Sequence, residues 1–89
     1  MLPNKLTASL RHQALRWLWA DLALYAKRVK GANPQTKRFV QQRLAHWQND
    51  PDLAAVRDNR ALGKLPEDEG AAWRKLWDDV DAVRRQAGR

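Results

Sequence analysis

Prolines interrupt this 89-residue chain at three places where a helix can start but cannot continue: Pro34, Pro51 and Pro66. Inside a helix a proline removes a hydrogen bond and clashes with the preceding turn, whereas at the first helical position its missing N–H costs nothing. Two of the three follow a residue type that caps helix N-termini, in Asn33-Pro34 and Asp50-Pro51. The residue before a proline is also pushed out of helical angles, as a cap must be.

The segments between these breaks carry helical periodicity and no strand alternation. In the first, Leu15, Leu18, Leu22, Tyr25 and Val29 recur at spacings of three and four, and Gly31 follows as a left-handed C-cap. A second row, Leu10, Trp17 and Leu24, recurs at seven on another side, so the spacing predicts a central helix packed between two neighbours. Val40, Leu44 and Trp47 form the stripe of the second segment, and Trp73, Leu76, Trp77, Val80, Val83 and Ala87 that of the third. The third opens with Glu67, Asp68 and Glu69, where the helix dipole favours acids. Arg74–Asp78, Lys75–Asp79 and Asp81–Arg85 supply ion pairs one turn apart on its outer face. Gly70 reads as a weak spot, since glycine in a helix interior costs about 1 kcal/mol relative to alanine. The expectation is an all-α fold and one domain over residues 1–89: a small bundle of three main helices (about 5–30, 34–48 and 66–87) with short helical turns at about 51–56 and 58–63.

A chain this short hides only about two-thirds of the surface it exposes when unfolded. Its five tryptophans answer that need, since each can bury roughly 150–250 Å². Trp17, Trp47, Trp73 and Trp77 lie on expected core stripes, whereas Trp19 lies at the border of a basic strip. Cysteine is absent, which excludes disulfides and thiolate metal sites. With no apolar run of membrane-spanning length and no compact signal-like run, the expected compartment is the cytoplasm.

The net charge of +7 is unevenly placed. Residues 1–48 hold nine Lys or Arg and one acid, Asp21, while residues 49–89 hold eight basic and nine acidic residues. Lys5, Arg16, Lys27 and Lys30 fall within about 60° on a helical wheel, with His12 alongside, and Lys37, Arg38 and Arg43 follow on the second helix. With Trp19 at its edge, this strip is the candidate binding surface. Phosphate backbones attract such a surface and an exposed tryptophan can stack on a base, but no nucleic-acid motif accompanies it.

Catalytic patterns are missing. His12 and His46 fall on different helices and make a poor zinc site without cysteine. Asp78, Asp79 and Asp81 each have a basic neighbour one turn away and read as a solvated face. Ser9, Thr7 and Thr36 have no accompanying base, and no glycine-rich phosphate loop exists. Asp21, between the two apolar rows of the first helix, is expected to be partly buried and to pair with a donor, Arg57 and Arg28 being candidates. Its role reads as structural, and neither catalytic, cofactor nor metal residues are assigned.

Read end to end, the run from Arg11 to Lys27 (RHQALRWLWADLALYAK), that from His46 to Asp58 (HWQNDPDLAAVRD), and LPEDE at 65–69 followed by AWRKLWDDVDA at 72–82 resemble one family segment. It lies near the C-terminus of planctomycete-type bacterial proteins that join a serine/threonine kinase domain to tetratricopeptide repeats. The resemblance covers nearly the whole chain, in order. It implies a helical appendage without chemistry of its own, because the kinase motifs lie outside the stretch resembled. Arg16 stands where an acid is usual in that family and Trp19 where a charged or polar residue is usual. The function expected is a non-catalytic α-helical accessory or interaction module with a protein partner. The alternative is a small basic nucleic-acid-binding module.

Overall fold

The computed structural model describes residues 8–31 and 33–88. Among them all regular structure is helical: α1 (Ala8–Val29), α2 (Pro34–Asn49), a 3₁₀ turn (Pro51–Val56), α3 (Asn59–Leu62) and α4 (Glu67–Ala87). The chain is an all-α small bundle, as its periodicity predicts. The start expected for the first helix, near residue 5, lies outside the described residues.

The breaks work as their chemistry requires. Asn33 is extended (φ −72°, ψ 165°), and its side-chain oxygen accepts a 2.8 Å hydrogen bond from the Thr36 N–H. Asp50 ends α2 and caps the 3₁₀ turn, accepting from the Asp52 N–H at 2.9 Å. Pro66 is the N-cap of α4 rather than its first helical residue, and it has no side chain with which to cap. The acids Glu67, Asp68 and Glu69 occupy the first turn instead, next to its orphan N–H groups. Gly31 takes a left-handed φ of +69°, which ends α1 at little steric cost.

Arg11 of α1 meets Glu69 of α4, and Trp19 to Ala26 lie beside Asp79 to Val83 further along. The two helices therefore run parallel. Arg84 of α4 donates to Gln48 of α2 at 2.6 Å, while Gly88, one turn further on, lies beside Gln41, one to two turns earlier in α2, so α2 runs against them. The resulting order is up, down, up. The long return from α2 to α4 is tied down by Leu53, Val56 and Leu62, all buried. Arg57 in that return donates to the carbonyls of Trp47 (3.0 Å) and Asp50 (2.7 Å). Trp77 donates to the Val56 carbonyl at 2.8 Å.

The core is centred on α4, which packs against α1, α2 and α3. Trp73, Leu76 and Val80 are 0% exposed, and Val40 and Leu44 of α2 complete the dry centre with them. Trp73 stacks on Trp77 with centroids 6.4 Å apart. Its buried indole N–H has no hydrogen-bond partner among the described residues. Such an omission costs about 1–3 kcal/mol, which the burial of the large ring must exceed.

The first helix does pack against two neighbours, α2 and α4, but the expectation that it is the central helix with both apolar rows covered is overturned. Only Ala14, Leu22 and Val29 of α1 are fully buried, against seven residues of α4. The second row of α1 faces solvent, with Leu10 at 37%, Trp17 at 60% and Leu24 at 54% exposure. In a bundle of three long helices each one meets its two neighbours across a single continuous arc. A row more than about 100° from that arc has nothing to pack against.

Gly70 is no weak spot. It is buried where α4 crosses the end of α3, and a Cβ there would stand 3.1 Å from the Leu62 carbonyl oxygen. The glycine permits a close backbone approach, so its lower helix propensity is offset by packing.

Candidate functional site

The described residues of the basic strip are mostly exposed surface groups. Lys5 lies outside the described residues. Arg16, Lys27 and Lys30 are exposed on α1, as are Arg38 and Arg43 on α2, while Lys37 is half-buried. Trp19, expected at the edge of this strip, packs against the core and lines a groove between α1 and α4 with Leu22, Ala23, Ala26, Ala82 and Val83. Its position four residues after Leu15 and three before Leu22 is a core spacing, which carried the signal.

Trp17 moves the opposite way. Expected in the core, it is the most exposed of the large apolar side chains among the described residues. Positions three and four residues from it that would widen an apolar stripe hold Gln13, Ala14, Ala20 and Asp21. A row with one large apolar residue every two turns is too sparse to bury against a helix, and this too was legible. Phe39 of α2 is also half exposed and meets Tyr25 edge-on at 6.4 Å, next in sequence to Leu24. Tyr25 in turn packs on Trp47, with centroids 5.9 Å apart. Exposed aromatic and aliphatic surface thus spans the seam between α1 and α2.

The predicted partner for Asp21 is absent: the carboxylate is exposed and makes no hydrogen bond or ion pair among the described residues. Neither Arg28 nor Arg57 reaches it, Arg57 being committed to backbone carbonyls and to Asp58 at 3.6 Å. The buried carboxylate is Glu69, whose side chain is only 6% exposed. Arg11 embraces it with two parallel hydrogen bonds, Nε to Oε1 and Nη2 to Oε2. The guanidinium bond holds the Glu69 carboxyl below the usual carboxylate range against the opposing effect of burial, with the charges of Arg11 and His12 helping. The same bond raises Arg11 above its ordinary value. Both residues stand one step before an apolar ladder: Arg11 precedes Leu15, Leu18 and Leu22, and Glu69 precedes Trp73, Leu76 and Val80. Opposite charges continuing two core stripes announce a buried pair.

Other polar groups serve local structure. Lys75 meets Asp79 at 2.7 Å, and Arg85 meets Asp81, as the four-residue spacing predicts. The pair expected between Arg74 and Asp78 does not form among the described residues. His46 lies 3.6 Å from the Asp50 carboxylate on the surface. Ser9, His12, Leu15 and Arg16 border an open hollow on α1, but no hydrogen bond links the serine to the imidazole. Among the described residues no three His, Asp or Glu side chains converge closely enough to hold a metal ion. No helix of the described residues is long and apolar enough to cross a membrane. No protein-family model, curated protein or solved structure matches this chain.

Proposed function

We propose that this chain is a non-catalytic α-helical interaction module. One observation carries the reading: Trp17, Leu24 and Phe39 stay 60%, 54% and 50% exposed in a domain that buries Trp73 completely and Trp47 nearly so. Exposed aromatic and aliphatic side chains grouped on one surface are the usual mark of a protein contact. The Arg11–Glu69 pair joins α1 to α4 and leaves that surface alone, which assigns the pair to the scaffold. The resemblance to the C-terminal appendage of repeat-containing bacterial kinases supports an accessory, cytoplasmic role beside other helices. The nucleic-acid alternative keeps its exposed cations but loses Trp19 as a stacking platform, since that ring is committed to the core.

Selection of peptides from a random display library by the immobilised chain tests the reading. Binders should be enriched and then lost against a Trp17→Ser/Leu24→Ser variant of unchanged helical circular dichroism. Enrichment of no binder that depends on this row would count against an interaction role. So would reproducible turnover of a nucleotide or phosphopeptide by the purified chain, abolished by one substitution.

A further inference from the structure

We infer that the exposed row of α1 is a docking site for an acidic amphipathic helix of a partner protein. This deepens the interaction-module reading and rests on it.

The row has the geometry of a helix-binding strip. Trp17 and Leu24 are two turns apart on a 22-residue helix, so they align along its axis about 10 Å apart. Phe39 extends the apolar surface across the seam to α2 through its edge contact with Tyr25. Together the three side chains expose roughly 300 Å² of apolar surface, the scale of the largest patch on an ordinary monomer. A helix laid along such a strip would anchor through residues at i, i+3 or i+4, and i+7.

Charge decides what kind of helix. On the helical wheel Lys27 and Arg16 border the row on one side, and Arg28 together with the acid Asp21 borders it on the other, all exposed. Arg43 lies one turn beyond Phe39 on α2 and is exposed as well. Asp21 is the only acid on either helix. With four exposed cations around it (Arg16, Lys27, Arg28 and Arg43) against that one acid, the strip complements a helix whose apolar stripe is flanked by Glu or Asp. A second copy of this chain fits poorly, because pairing the row with itself sets Arg16, Lys27 and Arg28 against the same cations. A nucleic acid would meet the cations but find nothing for its phosphates in the leucine between them.

Titration of the full chain with a labelled amphipathic peptide of about 20 residues, leucine on one stripe and glutamate on its flanks, tests the assignment. A twin with lysine for glutamate is the control, alongside a duplex oligonucleotide of similar length. The glutamate peptide should bind at least about tenfold more tightly than the lysine twin, and weaken several-fold between about 50 and about 500 mM salt. Trp17→Ser should weaken it by about thirtyfold, as loss of an interface tryptophan does, with the circular dichroism unchanged. Equal binding of the two peptides, indifference to Trp17→Ser, or tighter binding of the oligonucleotide would overturn the proposal. Self-association lost on Trp17→Ser would overturn it in favour of a second copy. Library binders that need the row but lack acids would sink the acidic helix while leaving the interaction module standing.

Discussion

Helices α1 and α4 carry the same ladder and meet different fates. In α4, positions 69, 73, 76, 80, 83 and 87 alternate steps of four and three, and every one is buried. In α1, positions 11, 15, 18, 22, 25 and 29 repeat the pattern and form the inner face. The difference lies on the opposite side. There α4 presents mainly charges, including Lys75 with Asp79 and Arg85 with Asp81, whereas α1 presents Trp17 and Leu24. Periodicity says which residues share a face. The placement of neighbouring helices says which faces are covered, and in this bundle α2 and α4 both pack on one arc of α1.

Substitutions on α4 should cost the most. Trp73→Ala removes a ring that is 0% exposed and should lose about 3–5 kcal/mol in urea unfolding, a large part of the stability of a domain this size. A loss under 1 kcal/mol would show that the centre of the bundle lies elsewhere. The tie between the two helices comes next. Glu69→Ala leaves the Arg11 guanidinium without its carboxylate in a site where it is 16% exposed, and should cost about 2–3 kcal/mol at neutral pH. Because the folded carboxyl titrates below its unfolded value, that stabilisation is complete above about pH 4.3 and fades as pH falls through the folded value. The stability gap between the parent chain and the variant should therefore narrow in acid, and a gap that widens would contradict the pairing. Smallest is Gly70→Ala. Helix propensity alone promises a gain of about 1 kcal/mol, but contact with the Leu62 carbonyl should cancel or reverse it. A full gain would mean that α3 and α4 are less closely apposed than described.

Local signals were legible because they act within a few residues. The caps at Asn33 and Asp50, the left-handed Gly31 and the 3₁₀ turn at 51–56 all follow from short-range sterics and hydrogen bonding. What failed needed knowledge of neighbours. Gly70 looked costly until α3 was placed beside it. Asp21 looked buried only while both apolar rows of α1 were assumed to be covered. Trp17 and Trp19 exchanged places for the same reason: a row at intervals of seven was counted as core, although its intermediate positions are small or polar. Glu69 and Arg11 could have been recognised, since each extends an apolar ladder. Of the candidate binding residues, the exposed cations were located by composition and wheel position, and the apolar row they flank was mistaken for core.

The central claim is that α1 has one face built for the fold and another left for contact. Its most direct test is the unfolding free energy of Trp17→Ser set against that of Trp19→Ser in the same urea titration. The exposed Trp17 should contribute within about 0.5 kcal/mol, whereas loss of the packed Trp19 should cost about 2 kcal/mol or more. The reverse order would place Trp17 in the core and remove the contact face altogether.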